Sequence, residues 1–224
     1  MIIDKNKLVF REKTTDRNIF KDVFELNEYN ISSLNEDSVI VDIGSHIGSF
    51  SLKAFSLGAK KIFCFEANTE NFIVCNYNCS SYNIEVYNKA VRGNYKLKKV
   101  GSRPGNNLNI ENMNMGGLSI SHGENIEVIS LEDIVKQVGG KISILKLDCE
   151  GSEYPIIFES NPEIFNNIDY IVGEFHPGTL PINYCEGFLN SPENLENHFK
   201  KLNYDTEFTS GTAKDYGHFI CRRS

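Results

Sequence analysis

The sequence predicts an α/β fold built on a doubly wound, mostly parallel sheet. Three observations carry that expectation. Val39-Ile40-Val41 is a β-branched apolar run that stops at Asp42 and is followed by Gly44, Gly48 and the helically spaced stretch Phe50–Phe55, which reads as strand, glycine turn and helix. The unit repeats: Lys61–Phe65 is apolar, ends at Glu66, and leads through Asn68 and Thr69 into a second helical segment. Two later runs, Ile142–Leu147 and Ile168–Gly173, again alternate with helical stretches. Strands alternating with helices favour parallel pairing with crossover helices.

The elements follow in order. Lys7–Phe10 is a candidate short strand. Asp16–Tyr29 carries Ile19, Phe20, Val23, Phe24 and Leu26 at amphipathic spacing, with Thr15 or Asp16 as its cap, and residues 1–37 form an N-terminal cover. The two βα units cover about 38–57 and 61–82, and a third strand spans Ile84–Val91. Residues 93–125, rich in Gly and Asn with Met113, Met115 and Gly116-Gly117, lack helical spacing; so long a stretch reads as a hairpin or lid on the substrate side. Ile126–Ile129 resumes as a strand, and Ser130 caps a helix that Gly139-Gly140 terminates. The strand Ile142–Leu147 finishes at Asp148, with a helix through Ile156–Phe158. The strand from Ile168 runs to Glu174 and His176, a helix spans Pro192–Leu202, and Phe208 and His218–Cys221 mark a terminal antiparallel pair.

Composition narrows the function classes. With 224 residues, 40% hydrophobic and 24% charged, the chain suits one domain with a full core. A net charge of −7 argues against general nucleic-acid binding, which rests on neutralising phosphates. The basic run Lys89, Arg92, Lys96, Lys98, Lys99 and Arg103 reads as a solvated edge. The six cysteines sit largely in apolar runs, as reduced buried thiols do; Cys75 and Cys79 share a helix face without a second Cys or His pair, which argues against zinc. No apolar run reaches membrane-spanning length, and a cytoplasmic setting is expected.

The glycine turn indicates an adenosine ligand. A dinucleotide fingerprint needs a middle glycine for the pyrophosphate, and His46 stands there. The pattern is Asp42-x-Gly44-x-x-x-Gly48, which suits a cofactor without phosphate. Glu66, ending the second strand about 20 residues on, is placed to accept from a ribose diol. Asp148 and Glu174 fall at the carboxyl ends of later strands, where ligands of open α/β sheets bind, and His176 shares a face with Glu174 two residues earlier. Two mechanisms use this group. In one, His176 or Asp148 takes the proton of an acceptor hydroxyl. In the other, Asp148, Glu174 and His176 hold Mg²⁺ or Mn²⁺, which lowers the hydroxyl pKa. The first is favoured, since three ligands on two loops make an incomplete shell. Lys146, inside an apolar strand, either pairs with Asp148 or reaches the reaction centre. Glu150 and Glu153 read as acids complementing a helix N-terminus.

Together these residues resemble the FkbM family of S-adenosylmethionine-dependent methyltransferases. The resemblance rests on Thr15-Asp16 with Tyr29, Val41–Leu52, Phe65–Asn68, Asn88–Val91, Leu145–Glu153 and Glu174–His176. Ser45-His46 and Ala67 depart from the family's usual Ala-Asn and Pro. The resemblance implies a seven-stranded class I methyltransferase fold with an antiparallel last strand. It implies O-methylation of a small molecule such as a sugar, a glycosylated natural product or a polysaccharide. Cofactor contacts are then expected from Asp42, Gly44, Ser45, His46, Gly48, Ser49 and Phe50 in the first unit. Glu66, Ala67 and Asn68 would follow in the second, then Asn88, Lys89 and Ala90, with Asp148 beside the methyl group. Catalysis would fall to His176, Asp148, Glu174 and Lys146. The alternatives are a tRNA-type methyltransferase, an NAD-dependent oxidoreductase sharing Glu66, and an inactive S-adenosylmethionine-binding subunit. The missing glycine, the net charge and the intact acid–histidine cluster count against these in different ways.

Overall fold

The computed structural model describes residues 2–93, 107–109, 125–177, 185, 187–210 and 216–224. Its main sheet has seven strands in the order β3 (Glu85–Tyr87), β2 (Lys61–Phe65), β1 (Val39–Ile43), β7 (Ile142–Leu147), β8 (Ile168–Phe175), β10 (Gly217–Arg223) and β9 (Tyr204–Ser210). The first five pair in parallel, and β10 runs antiparallel to both of its neighbours. The order reverses between β1 and β7, and such a switch point opens a crevice at the strand ends.

The strand sequences explain why both faces are covered. Successive residues of β1 alternate between two hydrophobic clusters: Ile40 belongs to one, Val41 and Ile43 to the other. β7 does the same with Ile144 against Leu145 and Leu147. A strand apolar on both sides is stable only between two layers. The layers are α2 (Ser49–Ser56) and α3 (Thr69–Cys79) on one face, and α4 (Leu131–Gln137), α5 (Glu153–Glu159) and α6 (Pro192–Lys201) on the other. Two of the expected caps form: Asn68 accepts from the Asn71 amide at 2.9 Å and Ser130 from the Asp133 amide at 3.1 Å.

Four expectations are corrected. Lys7–Phe10 is not a strand: Lys5–Lys7 is a 3₁₀ turn, and Val9 exchanges backbone hydrogen bonds with the Asn78 side chain instead of a sheet neighbour. The N-terminal helix is regular only over α1 (Asp16–Ile19), continues as a π-helix over Phe20–Glu25, and stops at Leu26, before Asn27 enters the left-handed region at φ 58°. The third strand breaks at Asn88, whose amide donates to the Glu66 and Ala67 carbonyls and turns the chain. Beyond it, β4 (Lys89–Arg92) joins β6 (Asn125–Ser130) and β5 (Asn107–Asn109) in a separate three-stranded sheet. Finally, Thr15 precedes α1 without a side-chain cap hydrogen bond, and the Asp16 carboxylate is taken by Arg11. Glu174 falls at the carboxyl end of β8 as expected, one residue before Phe175. The anticipated substrate-side hairpin or lid, including Met113 and Met115, lies outside the described residues apart from β5.

Candidate functional site

A cavity of about 960 Å³ opens beyond the carboxyl ends of β1, β2, β7 and β8. Its floor is the first glycine turn. Gly44 adopts φ 74°, and a Cβ there would lie 1.8 Å from the Asp148 carbonyl oxygen, so only glycine lets the turn pass under the loop after β7. Gly48 at φ 90° packs onto Cys79, whose Sγ a Cβ would approach to 2.7 Å.

Glu66 stands at one side of the cavity. Its Oε2 accepts from the His46 amide and its Oε1 from the Asn68 amide, both at 2.8 Å. Two backbone donors thus fix the carboxylate, while each oxygen keeps acceptor capacity toward the cavity. Burial pushes the Glu66 pKa up, and the two amide hydrogen bonds only partly offset it, leaving it at about 7. Ser45, His46, Ser49, Phe50, Ala67, Lys89 and Ala90 also line the cavity; Asp42, Gly48, Asn68 and Asn88 lie behind its wall. Asp42 is fully buried, taking a hydrogen bond from Ser51 at 2.8 Å and pairing with Lys146 at 3.2 Å, its register neighbour on β7. Asn88 supports the turn after Glu66 from behind, and Lys89 pairs with Glu127 at 2.6 Å.

The N-terminal segment closes over the glycine turn. Asp16, fully buried, receives the Arg11 guanidinium through Nε and Nη2 at 3.0 and 2.8 Å and the Arg11 amide at 2.8 Å. Arg11 also meets His46 Nε2 at 3.2 Å. Burial lowers the His46 pKa to about 4, so the ring is neutral near pH 7 and accepts from Arg11. No local spacing marks this Arg11–Asp16–His46 contact, which only the fold brings together.

The opposite side carries acids and histidines. Lys146 donates to the Gly44 carbonyl at 2.6 Å and lies 3.6 Å from Asp148; burial lowers its pKa, but Asp42 and Asp148 more than reverse this, so it remains a cation. The Tyr29 hydroxyl donates to Asp148 Oδ2 at 2.9 Å, tying the N-terminal cover to the loop after β7. Burial raises the Asp148 pKa, Lys146 opposes that, and Glu174 adds to it. His176 Nδ1 lies 3.2 Å from Glu153, and its Nε2 lies 3.3 Å from Glu174 and 3.9 Å from Glu150. Burial lowers the His176 pKa, but the hydrogen bonds to Glu153 and Glu174 outweigh it and lift it to about 11. Held between carboxylates, the ring favours its charged form, which has no lone pair to take a proton, and that weighs against His176 as the base. Glu153 likewise does more than complement a helix dipole. Fully buried, it accepts from the Cys149 and Gly151 amides at 2.6 and 2.7 Å and orients His176.

Sequence reading missed His218 and Glu28. His218 faces Glu174 across the β8–β10 pair, and its Nε2 lies 3.1 Å from both Glu174 Oε1 and Glu28 Oε1. Neither residue belongs to a local motif, so only the folded register brings them together.

The profile of the FkbM methyltransferase domain matches residues 42–205. The chain belongs to the FkbM methyltransferase family. Among solved structures, it is similar to the FkbM methyltransferase of Methylobacillus flagellatus KT, with 12% identity and a TM-score of 0.59 over 90% of this chain and 47% of that one. The chain thus spans about half the length of that protein. It is also similar to an rRNA methylase from Streptococcus thermophilus (10% identity, TM-score 0.49, 96% and 99% covered). A third is the precorrin-6y C5,15-methyltransferase of Geobacter metallireducens GS-15 (11%, 0.48, 99% and 96%). No curated protein matches it in sequence. Among the described residues, no helix is long and apolar enough to cross a membrane.

Proposed function

We propose that this FkbM-family protein transfers the methyl group of S-adenosylmethionine to a hydroxyl of a small molecule, a sugar or glycosylated product. One observation carries the reading: a single cavity holds a diol-accepting carboxylate, Glu66, at one side and the Asp148–Glu174–His176 group at the other. S-adenosylmethionine supplies an electrophilic methyl on a sulfonium. The adenosine is assigned to the side of Glu66, Ala67, Lys89 and Ala90, and the amino-acid end to the glycine turn at Gly44–Ser45. Arg11, held by Asp16, closes that side against water.

The hydroxyl proton needs an acceptor. Asp148 takes that part: burial raises its pKa, and its Oδ2 already accepts from Tyr29, so a second substituent is oriented by the first. His176 balances the charge of Glu174 and Glu153 beside it. A second route is favoured by one observation: ligand atoms of Asp148, Glu174 and His176 all lie within 4.8 Å of one another, and Glu153 fixes the far nitrogen of His176 as partners of metal-binding histidines do. A divalent cation held there would take the place of the His176 proton and lower the pKa of the acceptor hydroxyl.

Calorimetric titration with S-adenosylhomocysteine, with NADH in parallel and EDTA in both, tests the cofactor. Binding of the former alone supports the reading; binding of NADH alone removes it.

A further inference from the structure

Glu174 faces two histidines with different oxygens. Its Oε2 lies 3.3 Å from His176 Nε2, and its Oε1 lies 3.1 Å from His218 Nε2. Each histidine has its own second carboxylate: Asp148 groups with His176 and Glu174, and Glu28 with His218 and Glu174, each set with ligand atoms within 4.8 Å. Three strands and the N-terminal cover contribute, so the arrangement is a product of the fold.

On the His218 side Glu28 Oε1 and Glu174 Oε1 both stand 3.1 Å from the same nitrogen. A protonated ring shares its one N–H between them as a three-centre bond. A cation between the three atoms would engage all of them. Cis ligands of a six-coordinate ion bound at about 2.1 Å stand about 3 Å apart, which matches these spacings.

The geometry points to a second divalent-cation position at Glu28, Glu174 and His218, bridged by the Glu174 carboxylate to the position at Asp148, Glu174 and His176. The inference rests on the metal route given above and extends it from one ion to two. Two imidazoles with three carboxylates form a mixed nitrogen and oxygen set, which suits a first-row ion such as Mn²⁺ better than Ca²⁺. Glu28, Asp148, Glu174 and His176 line the cavity, so both positions are open to an acceptor's oxygen atoms.

Mn²⁺ titration of the full chain, followed by the loss of the free-ion paramagnetic resonance signal, counts the sites. Two ions per chain are expected, with the exchange-coupled spectrum of a carboxylate-bridged pair. Glu28→Gln and His218→Gln should each reduce the count to one and abolish the coupling, and His176→Gln should leave the other ion. Circular dichroism confirms that each variant is folded. A count of one or zero in the unsubstituted chain overturns the inference, as does a count of two in folded His218→Gln. S-adenosylhomocysteine binding in EDTA separates the two readings: if it persists while the EDTA-free Mn²⁺ titration counts fewer than two ions, the metal pair falls and the methyltransferase reading stands.

Discussion

Glu66→Gln tests the placement of the ribose most sharply. In the structure both carboxylate oxygens face backbone N–H groups at 2.8 Å. The amide offers one oxygen and one NH₂, so one of those donors meets another donor. The variant also loses the charge that a diol would hydrogen-bond. Loss of one charge-assisted hydrogen bond costs about 1.5–3 kcal/mol, or about 10- to 150-fold in Kd. The pKa of about 7 adds a second signature, because only the ionised form can accept from both hydroxyls while holding its two backbone donors. If binding requires that form, affinity for S-adenosylhomocysteine should strengthen about tenfold from pH 6 to pH 8. His46 at about 4 and His176 at about 11 titrate outside that window. Calorimetry at pH 6, 7 and 8 on both proteins is the assay. In Glu66→Gln the pH slope should vanish along with the affinity. A variant that binds within twofold of the parent refutes the ribose assignment; a parent whose affinity is level across the window shows instead that the carboxylate stays ionised throughout it.

Further outcomes follow from the same geometry. His176→Ala should leave S-adenosylhomocysteine affinity within about twofold and cut turnover about 10- to 100-fold, as loss of a residue that orients a reacting group does; equal losses in binding and turnover would place His176 in the cofactor site. Gly44→Ala should destabilise by more than about 2 kcal/mol, since the position has φ 74° and a Cβ would overlap the Asp148 carbonyl at 1.8 Å; a loss under about 0.5 kcal/mol in urea unfolding would contradict that. His46 has a folded pKa of about 4, below its unfolded value, so its contribution is present above pH 6.5 and is lost as pH falls through 4. The stability difference between the parent and His46→Gln should therefore grow by about 3 kcal/mol from pH 4 to pH 6.5; a difference that is level with pH would show the ring is not held neutral.

The sheet core was legible in the sequence because its strands are short apolar runs with clear ends. β1, β2, β7 and β8 fall within a residue or two of their expected bounds, and Asn68 and Ser130 cap as expected. Glu66, Asp148, Glu174 and His176 do meet at one cavity, since strand-end acids of a parallel sheet converge on its carboxyl edge. What the sequence hid is tertiary. Nothing local marks the break at Asn88, which depends on carbonyls presented by residues 66 and 67. Cys64 completes a buried group with Cys75 and Cys79 only because β2 packs under α3. His218 meets Glu28 through strand register and the N-terminal cover, from positions too distant in the chain for any local pattern to link them. Charge states were hidden for the same reason: a histidine's pKa follows from neighbours that spacing does not identify.

Methyl transfer to oxygen is observed directly by incubating the protein with trideuteromethyl S-adenosylmethionine and separate sugar, glycosylated-product and RNA pools, with mass spectrometry and NMR locating the label. A deuterated methyl is expected on a hydroxyl oxygen of a small-molecule acceptor. Label found only in RNA, or on nitrogen, would contradict it.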